Sequence, residues 1–328
     1  MKHGGDLTEA IQCHGGTPES WLDLSTGINP WPWPVPQPLP DRAWQRLPSR
    51  TEVNALAGAA RRAYRAPDDV GIAAASGTQS LIQLVPYLAQ PGPVAIVGPT
   101  YSEHESAWLN AGHAIIAIDN LDALPDSAVH AVVVNPNNPD GGITDHATLF
   151  RIGEKLKDRG GWLIVDEAFA DIDPAISAIG LCSDLPVLIL RSFGKFYGLA
   201  GLRLGFVAGA ADTVRRVSEA LGPWPCSGPA LLIGTAALED RAWADSMRKT
   251  LAHQAGKLDD VLVKAGFAIV GGVPLFRLAR HPRARELHAK LAQRHIWCRS
   301  FDWAHDLLRF GLPADDASLD RLAAALSD

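Results

Sequence analysis

Between residues 70 and 210 the chain alternates short, unbroken apolar runs with longer stretches in which apolar residues recur at helical spacing. The runs Gly71–Ala75, Val94–Val97, Ala114–Ile118, Ala131–Val134, Trp162–Val165, Val187–Leu190 and Gly205–Ala208 predict buried strands. The spaced stretches Thr51–Arg65, Leu81–Val85, Ser102–Asn110 and Asp145–Asp158 predict helices. Strands that are apolar throughout and alternate with helices make an α/β fold, a large domain with a mostly parallel sheet between helices.

After about Ala211 the texture changes. Gly228–Ala265 reads as a long helical region, and then Phe267–Val270, Leu275–Leu278, Ile296–Arg299 and Leu307–Phe310 alternate with helical Arg283–Gln293 and Leu319–Leu326. This predicts a smaller α+β C-terminal domain, with the breaker cluster Gly222-Pro223-Trp224-Pro225 at its boundary. At the other end a short helical pattern over Leu7–Cys13 precedes a proline-rich run from Pro30 to Pro40. That run forces extended backbone and carries Trp31 and Trp33, which are expected to pack on the body. The expected division is an arm over residues 1–40 packing on the small domain or the active site, a large domain over 41–222 and a small domain over 223–328.

Composition narrows the partners. The 328 residues are 47% hydrophobic and 20% charged, with a formal net charge of −6, a soluble, globular pattern. Without a dense Lys/Arg run there is no footprint for nucleic acid, although a few arginines can serve a small anion. Cys13, Cys182, Cys226 and Cys298 are widely separated and form no Cys-x-x-Cys pair, which suits buried thiols in a reducing cytoplasm better than disulfides or a zinc site. The first residues lack the apolar run of a secretion signal, and no stretch has the apolar length of a membrane span. The expectation is a cytoplasmic protein with no membrane partner.

The chemistry-bearing residues collect where predicted strands end, the place where open parallel sheets hold ligands. Asn135-Pro136-Asn137-Asn138-Pro139-Asp140-Gly141 follows one strand, Asp166-Glu167-Ala168-Phe169 another, and Ser192-Phe193-Gly194-Lys195 a third. Ser76-Gly77-Thr78 joins a strand to a helix start, where open amides and the helix dipole suit a phosphate. Taken singly, each is an ordinary turn, cap or surface lysine. Together they supply what pyridoxal phosphate requires: an amine for its aldehyde, a carboxylate for its ring nitrogen, an amide, and cationic and hydroxyl groups for its phosphate.

Ser-x-x-Lys-x-x-Gly-Leu-x-Gly-x-Arg-x-Gly over Ser192–Gly205, Asn-Asn-Pro-x-Gly over Asn137–Gly141 and Asp-Glu-Ala-Phe over Asp166–Phe169 resemble the fold-type I pyridoxal-phosphate enzymes of the class I and II aminotransferase superfamily. The resemblance implies that Lys195 is the Schiff-base lysine, Asp166 the partner of the ring nitrogen and Asn138 the donor to the phenolic oxygen. It also implies that Tyr101 stacks on the ring and that Gly77, Thr78, Ser192 and Arg203 bind the cofactor phosphate.

His3-Gly4-Gly5, Asp23–Pro30 and Leu308-Arg309-Phe310-Gly311-Leu312-Pro313 narrow the likeness to threonine-phosphate decarboxylases of cobalamin biosynthesis. These convert L-threonine O-3-phosphate to (R)-1-amino-2-propanol O-2-phosphate; histidinol-phosphate aminotransferases are the alternative. By this resemblance Arg309 holds the substrate carboxylate, Arg299 its phosphate, and His3 and Gly4 reach the substrate from the arm. The expected partner is a small phosphorylated amino acid, and the expected assembly a homodimer. Two positions depart from the common pattern. Phe169 stands where many relatives have a tyrosine, and Leu47-Pro48 stands in place of a Tyr-Pro element.

Overall fold

The computed structural model describes residues 4–327. The described residues contain strands β1 (Leu22–Leu24), β2 (Val70–Ala75), β3 (Val94–Val97), β4 (Ile115–Ile118), β5 (His130–Val134), β6 (Leu163–Asp166), β7 (Val187–Ser192), β8 (Gly205–Ala210), β9 (Ala268–Val273), β10 (Phe276–Arg280), β11 (Ile296–Ser300) and β12 (Leu307–Gly311). They fall into two compact units, one of residues 33–138 and 142–244, the other of residues 4–32, 139–141 and 245–327.

The larger unit is built on a seven-stranded sheet ordered β2-β8-β7-β6-β5-β3-β4. Neighbours from β7 to β4 pair in parallel, whereas β8 is antiparallel to both β2 and β7. Hence β2, β3, β5, β6 and β7 all point their carboxyl ends to one edge, and the amino end of β8 joins them there. Val94, Ile96, Val132, Ile164, Leu188, Leu190 and Val207 form the sheet side of a core whose helical side includes Leu81, Ile82, Val85, Trp108, Val214 and Val217. Burying such side chains contributes roughly 1.5–3 kcal/mol each, so the strand edge rests on a rigid base.

Local signals explain the helices. Ser49 and Glu52 form a reciprocal capping box at Arg50–Tyr64, and Asp145 caps His146–Asp158. The helix Gly228–Glu239 buries Pro229, Leu231, Ile233 and Leu238 and is packed on Arg50–Tyr64, with Arg62 paired to Glu239 at 2.5 Å. This is why the units divide at Ala244/Asp245, against the limit expected after residue 222: the residues just beyond the breaker cluster are tied to the large sheet's own helices. Near the other end, Trp33 is 6% exposed and belongs to the larger unit, as the packing of the proline-rich run predicts, so the division there falls at Pro32/Trp33 rather than after residue 40.

The smaller unit holds a five-stranded sheet ordered β1-β11-β12-β10-β9. Its β1 comes from the arm and pairs in parallel with β11, Asp23 opposite Trp297 and Leu24 opposite Cys298. Trp21 stacks on His295 at 4.7 Å beside it. Three of the cysteines are buried, as expected, but Cys13 is exposed on the helix Thr8–His14.

Candidate active site

On the larger unit, eight of the residues singled out in the sequence lie at one edge of the sheet. Tyr101 follows β3, Asn138 follows β5, Asp166 ends β6, Ser192 ends β7, Lys195 sits on the short helix Phe193–Phe196, Gly77 and Thr78 follow β2, and Arg203 precedes β8.

Asp166 is 3% exposed, and both its oxygens are engaged. Oδ1 accepts the Ala168 N–H at 3.0 Å, and Oδ2 lies 2.9 Å from His104 Nε2. His104, 1% exposed on the helix Glu103–Asn110, is a residue that the motifs do not reveal. Its one sequence signal is a spacing of three from Tyr101, which places both on the same side of one helical turn. The Tyr101 hydroxyl donates to Gln79 Oε1 at 3.1 Å. Burial, helped by the negative charges of Glu103 and Asp166, pushes its phenol up to about 12.

The loop that carries Asn138 is pinned on both sides. Asn135 receives the Thr144 N–H at 2.9 Å, and Asn137 accepts from the Thr100 hydroxyl at 2.7 Å. The two flanking asparagines of the motif therefore shape the turn.

The short helix that carries Lys195 is flanked by an aromatic stack. Phe193 and Tyr197 lie parallel at 4.5 Å, and Trp243 continues the stack on Tyr197 at 5.5 Å. Trp33 donates its backbone N–H to the Tyr197 carbonyl at 2.9 Å and its indole N–H to Asp240 at 3.1 Å. The Lys195 ammonium stands 5.9 Å from the ring centre of Phe169, the position at which the sequence departs from the common pattern.

Directly beneath is a buried ionic cluster. Arg191 bonds Glu167 at 2.7 Å and Asp171 at 2.5 Å, and lies 4.3 Å over the Tyr64 ring. Burial opposes the guanidinium charge, but Asp171 and Glu167 outweigh it and raise the group above its ordinary range. Glu167 also accepts from the Ser177 hydroxyl at 2.7 Å and the Ala178 N–H at 2.6 Å. Glu167 and Arg191 are the chain neighbours of Asp166 and Ser192, so the cluster fixes both strand ends from below.

The phosphate turn differs in detail from the expectation. The Gly77 N–H is turned back onto Ala75 O at 2.7 Å, and the Thr78 hydroxyl donates to Arg191 O at 2.9 Å. Gly77 contributes through its bare Cα instead. A Cβ there would stand 2.6 Å from an Arg203 terminal nitrogen, so glycine admits the guanidinium to the helix start. The helix Thr78–Leu88 has no side-chain cap, and of its first amides Ser80 N–H turns to Gly77 O while those of Thr78 and Gln79 stay open. Ser192 makes no side-chain hydrogen bond among the described residues, and the Arg203 guanidinium bonds only the Ala200 carbonyl, at 3.2 Å. An uncapped helix start, an open hydroxyl and an exposed guanidinium converge here, and they fit the phosphate of pyridoxal phosphate.

The smaller unit carries the other candidates. Arg299 and Arg309 are directly opposite on β11 and β12. Arg309 is 7% exposed, donates to Ser25 O at 2.7 Å and is pushed down to about 10 by burial and then by Arg299. Burial likewise lowers Arg299, which Asp302 partly offsets. Gly4 packs on Ser25, and His3 lies outside the described residues.

The chain belongs to the class I and II aminotransferase family, whose pattern matches residues 49–326. Within that class it is similar to a threonine-phosphate decarboxylase of Sinorhizobium sp, 46% identical over 99% of this chain and 97% of that protein. A threonine-phosphate decarboxylase of Pseudomonas aeruginosa is 41% identical with the same coverage. Among solved structures, the histidinol-phosphate aminotransferase of Sinorhizobium meliloti in complex with pyridoxal-5'-phosphate superposes with a TM-score of 0.83 at 20% identity, covering 98% of this chain and 93% of that one. The last likeness establishes the fold. No helix among the described residues is long and apolar enough to cross a membrane.

Proposed function

We propose that this protein is a pyridoxal 5'-phosphate-dependent threonine-phosphate decarboxylase, forming (R)-1-amino-2-propanol O-2-phosphate from L-threonine O-3-phosphate in cobalamin biosynthesis. The observation that carries this reading is the Gly77–Arg203 phosphate cradle beside Lys195 and Asp166, in a chain whose relatives of that name match it from end to end. Lys195 holds the cofactor covalently, Asp166 receives its ring N–H, Asn138 donates to its phenolic oxygen and Tyr101 covers its ring. The open amides at Thr78, the Ser192 hydroxyl and Arg203 hold its phosphate, while Gly77 makes room for Arg203. When bound, the cofactor supplies an electron sink for the pair left on Cα as carbon dioxide departs.

The chain's own groups decide which bond is placed to break. Arg309 holds the substrate carboxylate, and Arg299, with His3 and Gly4 of the arm, takes the substrate phosphate. Arg309 and Arg299 repel one another across the strand pair, and a dianion relieves that repulsion. Lys195 Nζ returns a proton to Cα. Phe169 offers no hydroxyl to the phenolic oxygen, which leaves Asn138 as the donor there.

We also assign a cytoplasmic homodimer. Trp44 and Leu47 are 68% and 67% exposed on the larger unit, an apolar surface that suits a second copy of the chain. Light scattering after size exclusion tests this: twice the chain mass is expected, and a monomer for Trp44→Glu.

The activity is tested by supplying purified holoenzyme with threonine phosphate, or with histidinol phosphate and 2-oxoglutarate. Carbon dioxide is expected from the first mixture. Glutamate from the second without carbon dioxide from the first would make the protein an aminotransferase.

A further inference from the structure

We propose that Ser25 is a positioning residue for the anionic substrate, a joint that sets the N-terminal arm and the Arg309 guanidinium from one turn. The inference rests on Arg309 holding the substrate carboxylate.

Ser25 is fully buried, and each of its polar groups is used. Its hydroxyl accepts the Gly5 N–H at 2.9 Å and donates to Asp23 Oδ1 at 2.6 Å. Its own N–H donates to the same Asp23 oxygen at 2.8 Å. Its carbonyl accepts from Arg309 at 2.7 Å. Asp23 is paired in the sheet opposite Trp297 through β1, so the turn is anchored to β11, the strand that also bears Arg299.

The approach is close on both sides. A Cβ on Gly4 would stand 2.3 Å from Ser25 O, and one on Gly311 would stand 2.2 Å from Thr26 O. The arm is thus laid against the very peptide that receives Arg309, and only glycine permits it. Gly4, expected from the sequence to touch substrate, is held beside Ser25 by this contact. A residue that orders the arm and an arginine together favours a ligand that needs both at once. A small molecule with a carboxylate and a phosphate meets that requirement, whereas a simple amino acid does not.

Three measurements on the holoenzyme test this, using O-phospho-L-threonine. Hydrogen exchange of the peptide spanning Gly4–Glu9 is expected to quicken in Ser25→Ala, with the rest of the chain unchanged. KM for O-phospho-L-threonine is expected to rise about tenfold, the effect of one hydrogen bond, with kcat altered by less than threefold. Ser25→Thr, which keeps the hydroxyl, should restore KM, and Gly4→Ala should reproduce the Ser25→Ala effect if threonine is too large for the site. Unchanged exchange in Ser25→Ala overturns the joint, and quickened exchange with unchanged KM overturns its role in substrate binding. Arg309→Met is the separate control: wild-type KM in that variant removes the assigned role of Arg309, while the exchange result would still report on the arm.

Discussion

Gly77→Ala separates two effects that the phosphate cradle combines. Gly77 has φ 81° and ψ 158°, a region open almost only to glycine, so alanine there costs about 1–3 kcal/mol of conformational strain. The added Cβ would also stand 2.6 Å from the Arg203 guanidinium and push it from the helix start. Losing a charge-assisted hydrogen bond to phosphate costs roughly 1.5–3 kcal/mol. The strain is present without cofactor and should lower the melting temperature of cofactor-stripped protein by roughly 2–8 °C. The displacement appears only on binding, as a roughly ten- to hundredfold weaker affinity for pyridoxal phosphate. Thermal unfolding measures the first, and quenching of tryptophan fluorescence during cofactor titration measures the second. Gly256→Ala is the control: Gly256 lies inside the helix Arg241–Lys264 with open space around it, and alanine should stabilise the protein by about 0.5–1 kcal/mol with no change in affinity. A Gly77→Ala protein that loses stability yet binds cofactor within twofold of wild type would refute the assignment of Arg203 to the phosphate.

Further outcomes follow from the same edge of the sheet. Arg191→Met strands Glu167 and Asp171 in the core and should destabilise the fold by about 3–5 kcal/mol in urea unfolding, with the double change to Glu167→Gln recovering part of it. His104→Phe removes the partner of Asp166 Oδ2; it should cost about 1–3 kcal/mol and shift the absorbance of the bound cofactor, and His104→Gln, which can still donate, should lie between. The Tyr101 phenol, held up at about 12 in the fold against about 10 when unfolded, makes a stabilising contribution that is complete below pH 10 and lost as pH rises through 12. Tyrosinate absorbance at 295 nm, compared between wild type and Tyr101→Phe, should show no contribution from Tyr101 until beyond pH 11.

Apolar runs announced the strands because a sheet covered on both faces leaves no polar side, and β3 and β5–β8 lie within a few residues of where those runs stop. The three-residue β1 carried no such signal; its pairing with β11 depends on residues more than 270 positions away. The same distance effect hid the supports of the site. Lys195, Asp166 and Asn138 stand in recognisable local motifs. His104, Asp171 and Arg191 are ordinary polar residues in the sequence, and their roles arise only when the ends of β3, β6 and β7 are brought to one edge of the sheet. Arg309 was visible at the end of an apolar run, whereas Ser25 lies within a turn motif that could have been explained by its backbone alone. Gly77 reads in the sequence only as a turn glycine, because the room its bare Cα leaves for Arg203 depends on a residue far along the chain.

At the ends of β6 and β7 a candidate site residue and a buried ionic anchor are chain neighbours: Asp166 beside Glu167, Ser192 beside Arg191. This adjacency sets limits on how such a protein can be altered. Side chains at Tyr101 or Phe169 can be exchanged while the buried ion pairs stay whole, but any insertion or deletion at the ends of β6 or β7 moves an anchor together with its chain neighbour. Directed evolution of this scaffold is therefore expected to proceed by exchange of side chains and to leave the buried ion pairs as they are.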